Sequence, residues 1–395
     1  MKFTELDLKP ELDKALKKIG YTDLTPIQEA TFESIMNGED LVGVAETGSG
    51  KTSACGIPIV QNVDVENKAL QALVLVPTRE LALQYVDEIS KLSSGSKVQT
   101  FAIFGGFPMP IQEEKLKQGV HVLVATPGRL IDCIYKSKHL SLKGIKTLVL
   151  DEADEMLNMG FWDDVQFILS CIMSEHQTLL FSATMPKEIE KLIEGFLDSP
   201  KKIVLTGTRK APQSLDHCFQ SIKHHDRNKH LLDYLNNTKT EQVIIFCNSR
   251  HATADLYKEF KSKFKSMDFI HGGLDQNVRT SIFNRFKQGK VKYMIATDVA
   301  GRGLDFSKVT HVVNYDMPRE LENYTHRSGR AGRMGRKGTA FSFITPRDRD
   351  LLKRVIAHHE ITPVWIGEEP KDNPSDSSSG SKDSSPRRNQ KRNSR

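Results

Sequence analysis

The stretch Leu148–Gly160, LVLDEADEMLNMG, concentrates negative charge directly behind an apolar run. Four carboxylates fall within five residues: Asp151, Glu152, Asp154 and Glu155. The preceding Leu148–Leu150 is typical of a buried strand. Like charges this close repel one another, so the segment is either a solvated turn or a site that faces a cation. The remainder of the sequence distinguishes the two.

A phosphate-binding loop is indicated by AETGSGKT, Ala45–Thr52, which follows the apolar run Leu41–Val44. The stretch fits the pattern G-x-x-x-x-G-K-[ST], except that alanine replaces the first glycine. Glycines there let backbone amides turn toward phosphate oxygens, and the start of the following helix adds positive potential. The residues expected to bind a nucleotide here are Thr47, Gly48, Ser49, Gly50, Lys51 and Thr52.

A nucleotide bound at this loop would bring the cation that the acidic segment requires. Mg²⁺ on a nucleotide is commonly held through one carboxylate, a hydroxyl and waters, and we predict Asp151 and Thr52 as its protein ligands. Glu152 is placed to orient or deprotonate an attacking water. A solvated helix start explains one or two carboxylates at this position, but not four beside a phosphate loop.

Phosphoryl transfer also needs positive charge where negative charge develops. The stretch HRSGRAGR, His326–Arg333, contains three arginines separated by small residues. Arg330 and Arg333 suit arginine fingers that reach a phosphate from a second domain. Alone, such a run is weak because surface arginines are common, but opposite a phosphate loop it supports a two-domain active site.

Apolar runs alternate with helix-like segments twice along the chain, which predicts two α/β domains of similar size. Helical spacing of apolar residues is seen at Leu81, Tyr85, Ile89 and Leu92, and at Ala252, Leu256, Phe260 and Phe264. The runs do not alternate with polar residues, as expected for parallel strands covered on both faces. They are 41–44, 72–76, 122–125, 148–150, 179–181, 243–247, 293–296, 311–313 and 341–344. The polar motifs nearly all follow these runs, at the strand ends where parallel sheets bind ligands. We therefore expect two sheet edges to face one another across a cleft.

Composition bounds the class of protein. The 395 residues are 38% hydrophobic and 27% charged, and no apolar run approaches the ~18 residues of a membrane span. Five scattered cysteines form no CxxC pair, which argues against a disulfide framework or zinc module and favours a cytoplasmic protein. Residues 371–395 hold seven Lys or Arg and three Asp, a net +4 of the total +6.

The predicted domain bounds are 1–208 for the nucleotide-binding domain, 209–213 for a hinge and 214–368 for the second domain. Residues 369–395 form a serine-rich basic tail without aromatic residues, which we expect to be disordered. The tail is interpreted either as a solvated end or as a flexible basic arm that contacts the phosphates of a binding partner.

The ordered set of motifs resembles the DEAD-box ATP-dependent RNA helicases, over roughly residues 3–366. The matching motifs are GYTDLTPIQ, AETGSGKT, PTREL, the pair Gly105-Gly106, TPGRL, DEAD, SAT, IIFCNSR, QNVR, ATDVAGRGLD and HRSGRAGR. The resemblance implies two tandem RecA-like domains, each a parallel sheet covered by helices, with the active site in the cleft between the domains. Departures from the family pattern are minor and include Leu24, Cys55 and Gly273.

The resemblance also implies roles for individual residues. Gln28 reads the adenine edge, Tyr21 stacks on the ring and Asp305 holds the ribose. Ser182 and Thr184 link the acidic segment to the second domain, where His326 contacts it when the cleft closes. The RNA contacts implied are Arg79, Gly106, Thr126, Arg129, Arg250, Gly273 and Thr297. Each of these seven is also a plausible helix cap or loop-closing residue.

The predicted function is an RNA-dependent ATPase that uses ATP and Mg²⁺. It unwinds or remodels short RNA duplexes and RNA–protein complexes by closing on one strand. The alternative is an ATP-dependent RNA clamp with slow turnover that nucleates a complex. A DNA-translocating helicase is disfavoured by DEAD in place of DExH and by Gln28. We expect a monomer that binds RNA through phosphates and 2′-hydroxyls without sequence specificity.

Overall fold

The computed structural model describes residues 1–45, 48–205, 215–298, 308–332 and 337–369. Within them the chain forms two seven-stranded sheets in which all the pairings are parallel, so the prediction of two parallel α/β domains is confirmed. The predicted hinge, 209–213, lies outside the described residues. No helix in the described ranges is long and apolar enough to cross a membrane.

The first sheet has the strand order β3-β4-β2-β5-β6-β1-β7. Its strands are β1 Leu41–Ala45, β2 Ala72–Leu75, β3 Thr100–Ile103, β4 Val122–Ala125, β5 Thr147–Leu150, β6 Gln177–Ser182 and β7 Lys201–Leu205. Its helices are α1 Pro10–Ile19, α2 Pro26–Met36, α3 Lys51–Asn62, α4 Arg79–Leu92, α5 Met109–Gln118, α6 Pro127–Lys136, α7 Ala153–Asn158, α8 Trp162–Cys171 and α9 Lys187–Phe196.

The second sheet has the order β10-β11-β9-β12-β13-β8-β14. Its strands are β8 Leu215–Ser221, β9 Gln242–Phe246, β10 Met267–Ile270, β11 Tyr293–Ala296, β12 Val309–Asn314, β13 Gly338–Ile344 and β14 Val364–Trp365. Its helices are α10 Arg227–Asn237, α11 Arg250–Phe260, α12 Gln276–Lys287, α13 Leu321–Ser328 and α14 Arg349–His359.

All nine predicted apolar runs are strands, and the five strands that the pattern missed lie toward the sheet margins. Four of them, β3, β7, β10 and β14, are at the edges, and β8 lies next to β14. An edge strand has a neighbour on one side only, so its sequence carries more polar residues than a central strand. In β8 buried positions alternate with exposed or half-buried ones, and in β7 only Ile203 is buried, whereas β2 and β4 are buried at every residue.

Each sheet buries apolar side chains on both faces, which fixes where its helices pack. One face of the first sheet packs on α2, α3 and α4, where Tyr85, Ile89 and Leu92 are fully buried. Those residues belong to the apolar spacing that predicted this helix. The helices cover both faces and leave the carboxyl ends of the strands to carry the polar motifs.

Arg327 is a polar centre inside the second domain. Its side chain is 1% exposed and lies over the Phe246 ring, 5.2 Å from the centroid. Its guanidinium donates to Asp298 Oδ2 and Asn248 Oδ1 at 2.7 Å each, and to the Asp316 carbonyl oxygen at 2.7 Å. These partners follow three neighbouring strands, β11, β9 and β12. The arginine therefore ties three strand ends together beneath the HRSGRAGR segment.

We expect Arg327→Ala to destabilise the second domain by about 3–5 kcal/mol, because it leaves buried acceptors and the Asp298 carboxylate without their cation. Urea unfolding of a Trp162→Phe background, in which Trp365 is the remaining tryptophan, reports on this domain. The exposed Arg347 serves as the control, since Arg347→Ala removes an equal charge from the surface. Equal stability of the two variants would contradict the role of Arg327.

Candidate functional site

The acidic segment, the SAT stretch and the phosphate loop lie at the ends of three neighbouring strands. The order β5-β6-β1 places the acidic segment after β5, the SAT stretch Ser182–Thr184 at β6 and the phosphate loop after β1. Adjacent strands are about 4.8 Å apart, so the acidic segment and the loop begin about 10 Å from one another. That spacing accommodates a hydrated cation and phosphate oxygens between them.

The phosphate loop ends at the first turn of helix α3. Gly48 and Gly50 have φ values of 86° and 98°, a left-handed conformation that favours glycine. A β-carbon on Gly50 would lie 2.8 Å from Thr25 Oγ1, so a side chain there would also meet helix α2. Lys51 is 5% exposed, and its ammonium donates to the Ala45 carbonyl oxygen at 2.9 Å. Two of its three donors remain for a phosphate.

The acidic segment is buried throughout. Its four carboxylate residues are between 2% and 7% exposed: Asp151, Glu152, Asp154 and Glu155. The interpretation as a solvated turn is therefore wrong, because buried carboxylates need hydrogen-bond donors or cations around them.

Asp151 is held from two sides at the end of β5. Its Oδ1 accepts from the Glu152 backbone N–H at 2.8 Å, and its Oδ2 accepts from the Tyr85 hydroxyl at 2.6 Å. A carboxylate has about four lone-pair positions, so two of them remain.

Glu152 has an unusual backbone as well as a buried side chain. Its φ and ψ are 53° and 50°, left-handed values that are uncommon for a residue other than glycine. Burial raises the pKa of its carboxyl above the ordinary value, while Arg330 and Lys51 oppose that rise. Strained residues cluster at functional sites, and a raised pKa suits a general base that operates near neutral pH.

Asp154 joins the SAT stretch to the second domain. Its Oδ2 accepts from both the backbone N–H and the hydroxyl of Thr184, each at 2.9 Å. The Asp154 N–H donates to Ser182 Oγ at 3.2 Å, and that hydroxyl donates to the Thr184 carbonyl oxygen at 2.6 Å. From α13, His326 Nε2 lies 3.8 Å from Asp154 Oδ2, and His326 Nδ1 lies 3.9 Å from Glu155 Oε2.

Arg330 of the second domain lines a cavity that also contains residues of the acidic segment. It is 2% exposed, and its Nε donates to the His326 carbonyl oxygen at 3.0 Å. Residues of both domains line the cavity: Lys51, Glu152, Asp154, Glu155, Ala183, His326 and Arg330. Cations from two domains thus surround the buried carboxylates.

The residues present fit a nucleotide-bound Mg²⁺. Asp151 follows β5 and Thr52 lies in the first turn of α3, and both offer the hard oxygen donors that this ion prefers. Among the described residues no group of three or more His, Cys, Asp or Glu could hold a metal ion by itself. A metal at this site would therefore take its other ligands from phosphates and water.

The residues assigned to adenine lie beside the phosphate loop. Gln28 is 5% exposed, accepts from the Thr25 N–H at 2.9 Å and donates to the Gly50 carbonyl oxygen at 3.3 Å. Its amide keeps one donor and one acceptor position for a base edge. The Tyr21 ring is half-buried and stacks on Phe3 with centroids 6.1 Å apart, while its hydroxyl donates to Glu88 at 2.8 Å.

The RNA candidates of the first domain follow three further neighbouring strands, β3, β4 and β2. Gly106 has a φ of 77°, and Thr126 precedes α6. Arg129 donates to the Phe107 carbonyl oxygen at 2.8 Å, so it closes the loop after β3. Arg79 begins α4 with its guanidinium 4.4 Å from the Phe104 ring centroid, and its Nε and Nη1 are buried without a hydrogen-bond partner among the described residues.

The second domain repeats this arrangement at β10, β11 and β9. Gly273 follows β10, and Arg250 begins α11 after β9. A β-carbon on Gly273 would lie 3.4 Å from the Arg250 side chain. Thr297 follows β11 and is 9% exposed. In both sheets, three neighbouring strand ends thus bring the RNA candidates together.

Two ion pairs join the domains along helices α4 and α12. Arg279 Nη2 lies 2.9 Å from Glu80 Oε1, with side chains 14% and 7% exposed. Lys287 Nζ lies 3.6 Å from Asp87 Oδ2, with side chains 56% and 50% exposed. The pairs are about two helical turns apart on each helix, so α4 and α12 run alongside in the same direction.

Three predicted site residues, Thr47, Asp305 and Arg333, lie outside the described residues. Sequence reasoning missed Tyr85 and the Glu80–Arg279 pair. Arg279 belongs to the motif QNVR and Glu80 to the motif PTREL, but neither motif indicates that the two side chains pair. The only sequence signal at Tyr85 is its place in the apolar spacing of a helix.

Comparisons with known proteins identify the family. Residues 25–192 match the DEAD/DEAH box helicase domain, and residues 226–335 match the helicase conserved C-terminal domain. The DEAD-box ATP-dependent RNA helicase CshA of Geobacillus kaustophilus is 42% identical over 353 residues, 89% of this chain and 75% of the relative. The chain belongs to the DEAD-box ATP-dependent RNA helicases. This ATP-hydrolysing enzyme therefore has the predicted tandem RecA-like fold.

Solved structures match the helicase over both domains. A Saccharomyces cerevisiae Dbp5 variant bound to RNA and ADP BeF3 superposes with a TM-score of 0.86 at 27% identity, covering 92% of this chain and 95% of that one. The same variant bound to Nup159, Gle1, IP6 and ADP gives 0.65 at 26% identity, covering 91% and 96%. The whole chain therefore superposes more closely on the RNA-bound complex than on the complex with Nup159, Gle1, IP6 and ADP.

We expect Arg279→Glu to lower RNA-stimulated ATP hydrolysis about tenfold or more, since it places two buried carboxylates together across the interface. Exchanging the charges, Glu80→Arg with Arg279→Glu, restores much of the rate because opposite charges meet again. The exposed pair is the matched control on the same helices, and Lys287→Glu costs little because solvent screens it. A double variant no better than Arg279→Glu would show that the pair does not act across the interface.

Proposed function

We propose that this helicase opens or remodels short RNA duplexes and RNA–protein complexes by closing its two domains on one RNA strand in an ATP-dependent manner. The observation that carries the proposal is the contact between the HRSGRAGR segment and the buried carboxylates. His326 faces Asp154 and Glu155, and Arg330 acts on Glu152. The catalytic set is complete only when the domains meet.

The nucleotide site divides its tasks among named residues. Thr47 to Thr52 cradle the phosphates, with Lys51 as the point charge, and Gln28 and Tyr21 hold the adenine. Mg²⁺ supplies charge neutralisation on the phosphates, and Asp151 and Thr52 hold it. Glu152 orients and deprotonates the attacking water, and Arg330 and Arg333 stabilise the charge that develops on the transferred phosphoryl group. Asp305 is proposed to hold the ribose.

RNA is proposed to bind across the edges of both sheets. Arg79 supports this assignment, because two of its buried nitrogens have no hydrogen-bond partner among the described residues and phosphate oxygens match a guanidinium. Backbone amides near Gly106 and Gly273 and hydroxyls of Thr126 and Thr297 suit phosphates and 2′-hydroxyls, which carry no sequence information. Such contacts favour binding without sequence specificity.

RNA binding and ATP hydrolysis are proposed to be coupled through the strand ends of the first sheet. RNA candidates and nucleotide candidates follow adjacent strands of the same sheet, and α4 carries both Arg79 and the interdomain residue Glu80. An RNA strand that spans both domains therefore favours the arrangement in which Arg330 reaches the nucleotide. This coupling makes hydrolysis dependent on RNA.

Glu152→Gln tests the base. The substitution keeps the shape of the side chain and removes the proton acceptor, so we expect turnover to fall about 10²–10⁴-fold while ATP and RNA still bind. The pKa of Glu152 is raised, so this base becomes protonated at a higher pH than an ordinary carboxylate. As the pH falls, we therefore expect the wild type to lose hydrolysis at a pH above the ordinary carboxylate range. The exposed Glu175→Gln is the control with the same chemical change. Near-normal hydrolysis by Glu152→Gln would exclude this residue as the base.

ATP-dependent displacement of one strand from a short RNA duplex tests the function itself. We expect the wild type to displace the strand, and Arg330→Ala to lose displacement together with about 10³-fold or more of the hydrolysis rate. Arg347→Ala, which removes an exposed arginine from the same domain, retains both. Tight ATP-dependent RNA binding without displacement would favour the clamp with slow turnover. Equal stimulation by matched single-stranded DNA would contradict RNA as the substrate.

A further inference from the structure

The Tyr85 hydroxyl reaches the predicted metal ligand from inside the first domain. It donates a 2.6 Å hydrogen bond to Asp151 Oδ2, across 66 residues of sequence. Tyr85 lies on α4 and is 0% exposed, and Asp151 follows β5 and is 2% exposed. The bond is therefore shielded from water at both ends.

Packing alone does not account for a hydroxyl at this position. A phenylalanine ring would fill nearly the same volume without burying a polar group, and an unbonded buried hydroxyl is costly. Tyr85 meets that cost by bonding to a carboxylate, and charge-assisted hydrogen bonds are about twice as strong as neutral ones. The hydroxyl thus acts on Asp151 specifically.

The surroundings of the ring explain how it reaches the carboxylate. Helix α4, which carries Tyr85, packs on α3, and Tyr85 and Cys55 of α3 are both 0% exposed within the same apolar cluster. Cys55 is small, so it leaves room for a phenol beside the helix that begins at the phosphate loop.

Two hydrogen bonds set the orientation of Asp151. The Glu152 N–H occupies one position on Oδ1, and the Tyr85 hydroxyl occupies one on Oδ2. Donors on both oxygens resist rotation of the carboxylate and leave one lone pair on each oxygen. The free lone pairs are those that Mg²⁺ or its waters would use.

We propose that Tyr85 is a positioning residue for the metal site, and that it holds the Asp151 carboxylate in the orientation that receives nucleotide-bound Mg²⁺. The inference rests on the proposed function, since the Mg²⁺–nucleotide site is part of it. Residues that hydrogen-bond to metal ligands tune metal affinity in this way, and their loss typically costs about 10-fold or more.

The test is Tyr85→Phe in the full chain, with Mg²⁺ titrated against binding of a fluorescent ADP analogue. We expect the Mg²⁺ concentration at half-binding to rise about tenfold, while binding at saturating Mg²⁺ approaches that of the wild type. Tyr234→Phe is the matched control, because its buried hydroxyl has no hydrogen-bond partner among the described residues. Cys55→Ala is the second control: it loosens the packing around the ring, keeps the hydroxyl and leaves the Mg²⁺ midpoint unchanged.

Three outcomes overturn the inference. The first is an unchanged Mg²⁺ midpoint in Tyr85→Phe. The second is a loss of binding that saturating Mg²⁺ does not restore. The third is an equal shift in Cys55→Ala, which would mean that packing rather than the hydroxyl sets the midpoint. Failure of the wild type to bind the nucleotide, or to hydrolyse ATP with RNA, would instead contradict the proposed function.

Discussion

Negative charge buried at the end of β5 is the constraint on which the rest of the structure depends. Four carboxylates within five residues are almost inaccessible to solvent, and buried charges persist only with donors or cations around them. The chain supplies those partners from distant segments: the Tyr85 hydroxyl, the Thr184 hydroxyl and amide, Lys51, and His326 and Arg330 of the second domain. The second domain therefore completes the electrostatics of the first.

The parallel sheets make that concentration of charge possible. In a parallel sheet the carboxyl ends of the strands lie at one edge, so short loops that are far apart in the sequence come close together there. The first sheet divides this edge between RNA candidates after β3, β4 and β2 and nucleotide candidates after β5, β6 and β1. Both groups sit on one sheet, and α4 reaches both, since it carries Arg79 and the Tyr85 hydroxyl that donates to Asp151.

Secondary structure was predictable where burial is complete and less so where it is partial. Central strands such as β2 and β4 are buried at every residue and read as continuous apolar runs. Edge strands such as β10, which contains Asp268, carry polar residues, and the two-residue β14 is too short for any period. The spacing of Leu81, Tyr85, Ile89 and Leu92 predicted α4 correctly, since all four are buried against the sheet. The α11 pattern extended too far, because Phe264 lies in the turn beyond Phe260.

The sequence by itself indicated the chemistry that we propose: a phosphate loop, a carboxylate pair for metal and water, and arginines for developing charge, because these depend on residue type and local spacing. Only the tertiary structure decided which groups meet. Strand order cannot be read from apolar runs, and it is strand order that separates RNA candidates from nucleotide candidates. Tyr85 shows the same limit at one residue. Its spacing marks an apolar helix position, but its hydroxyl acquires a role only because folding brings it 2.6 Å from Asp151.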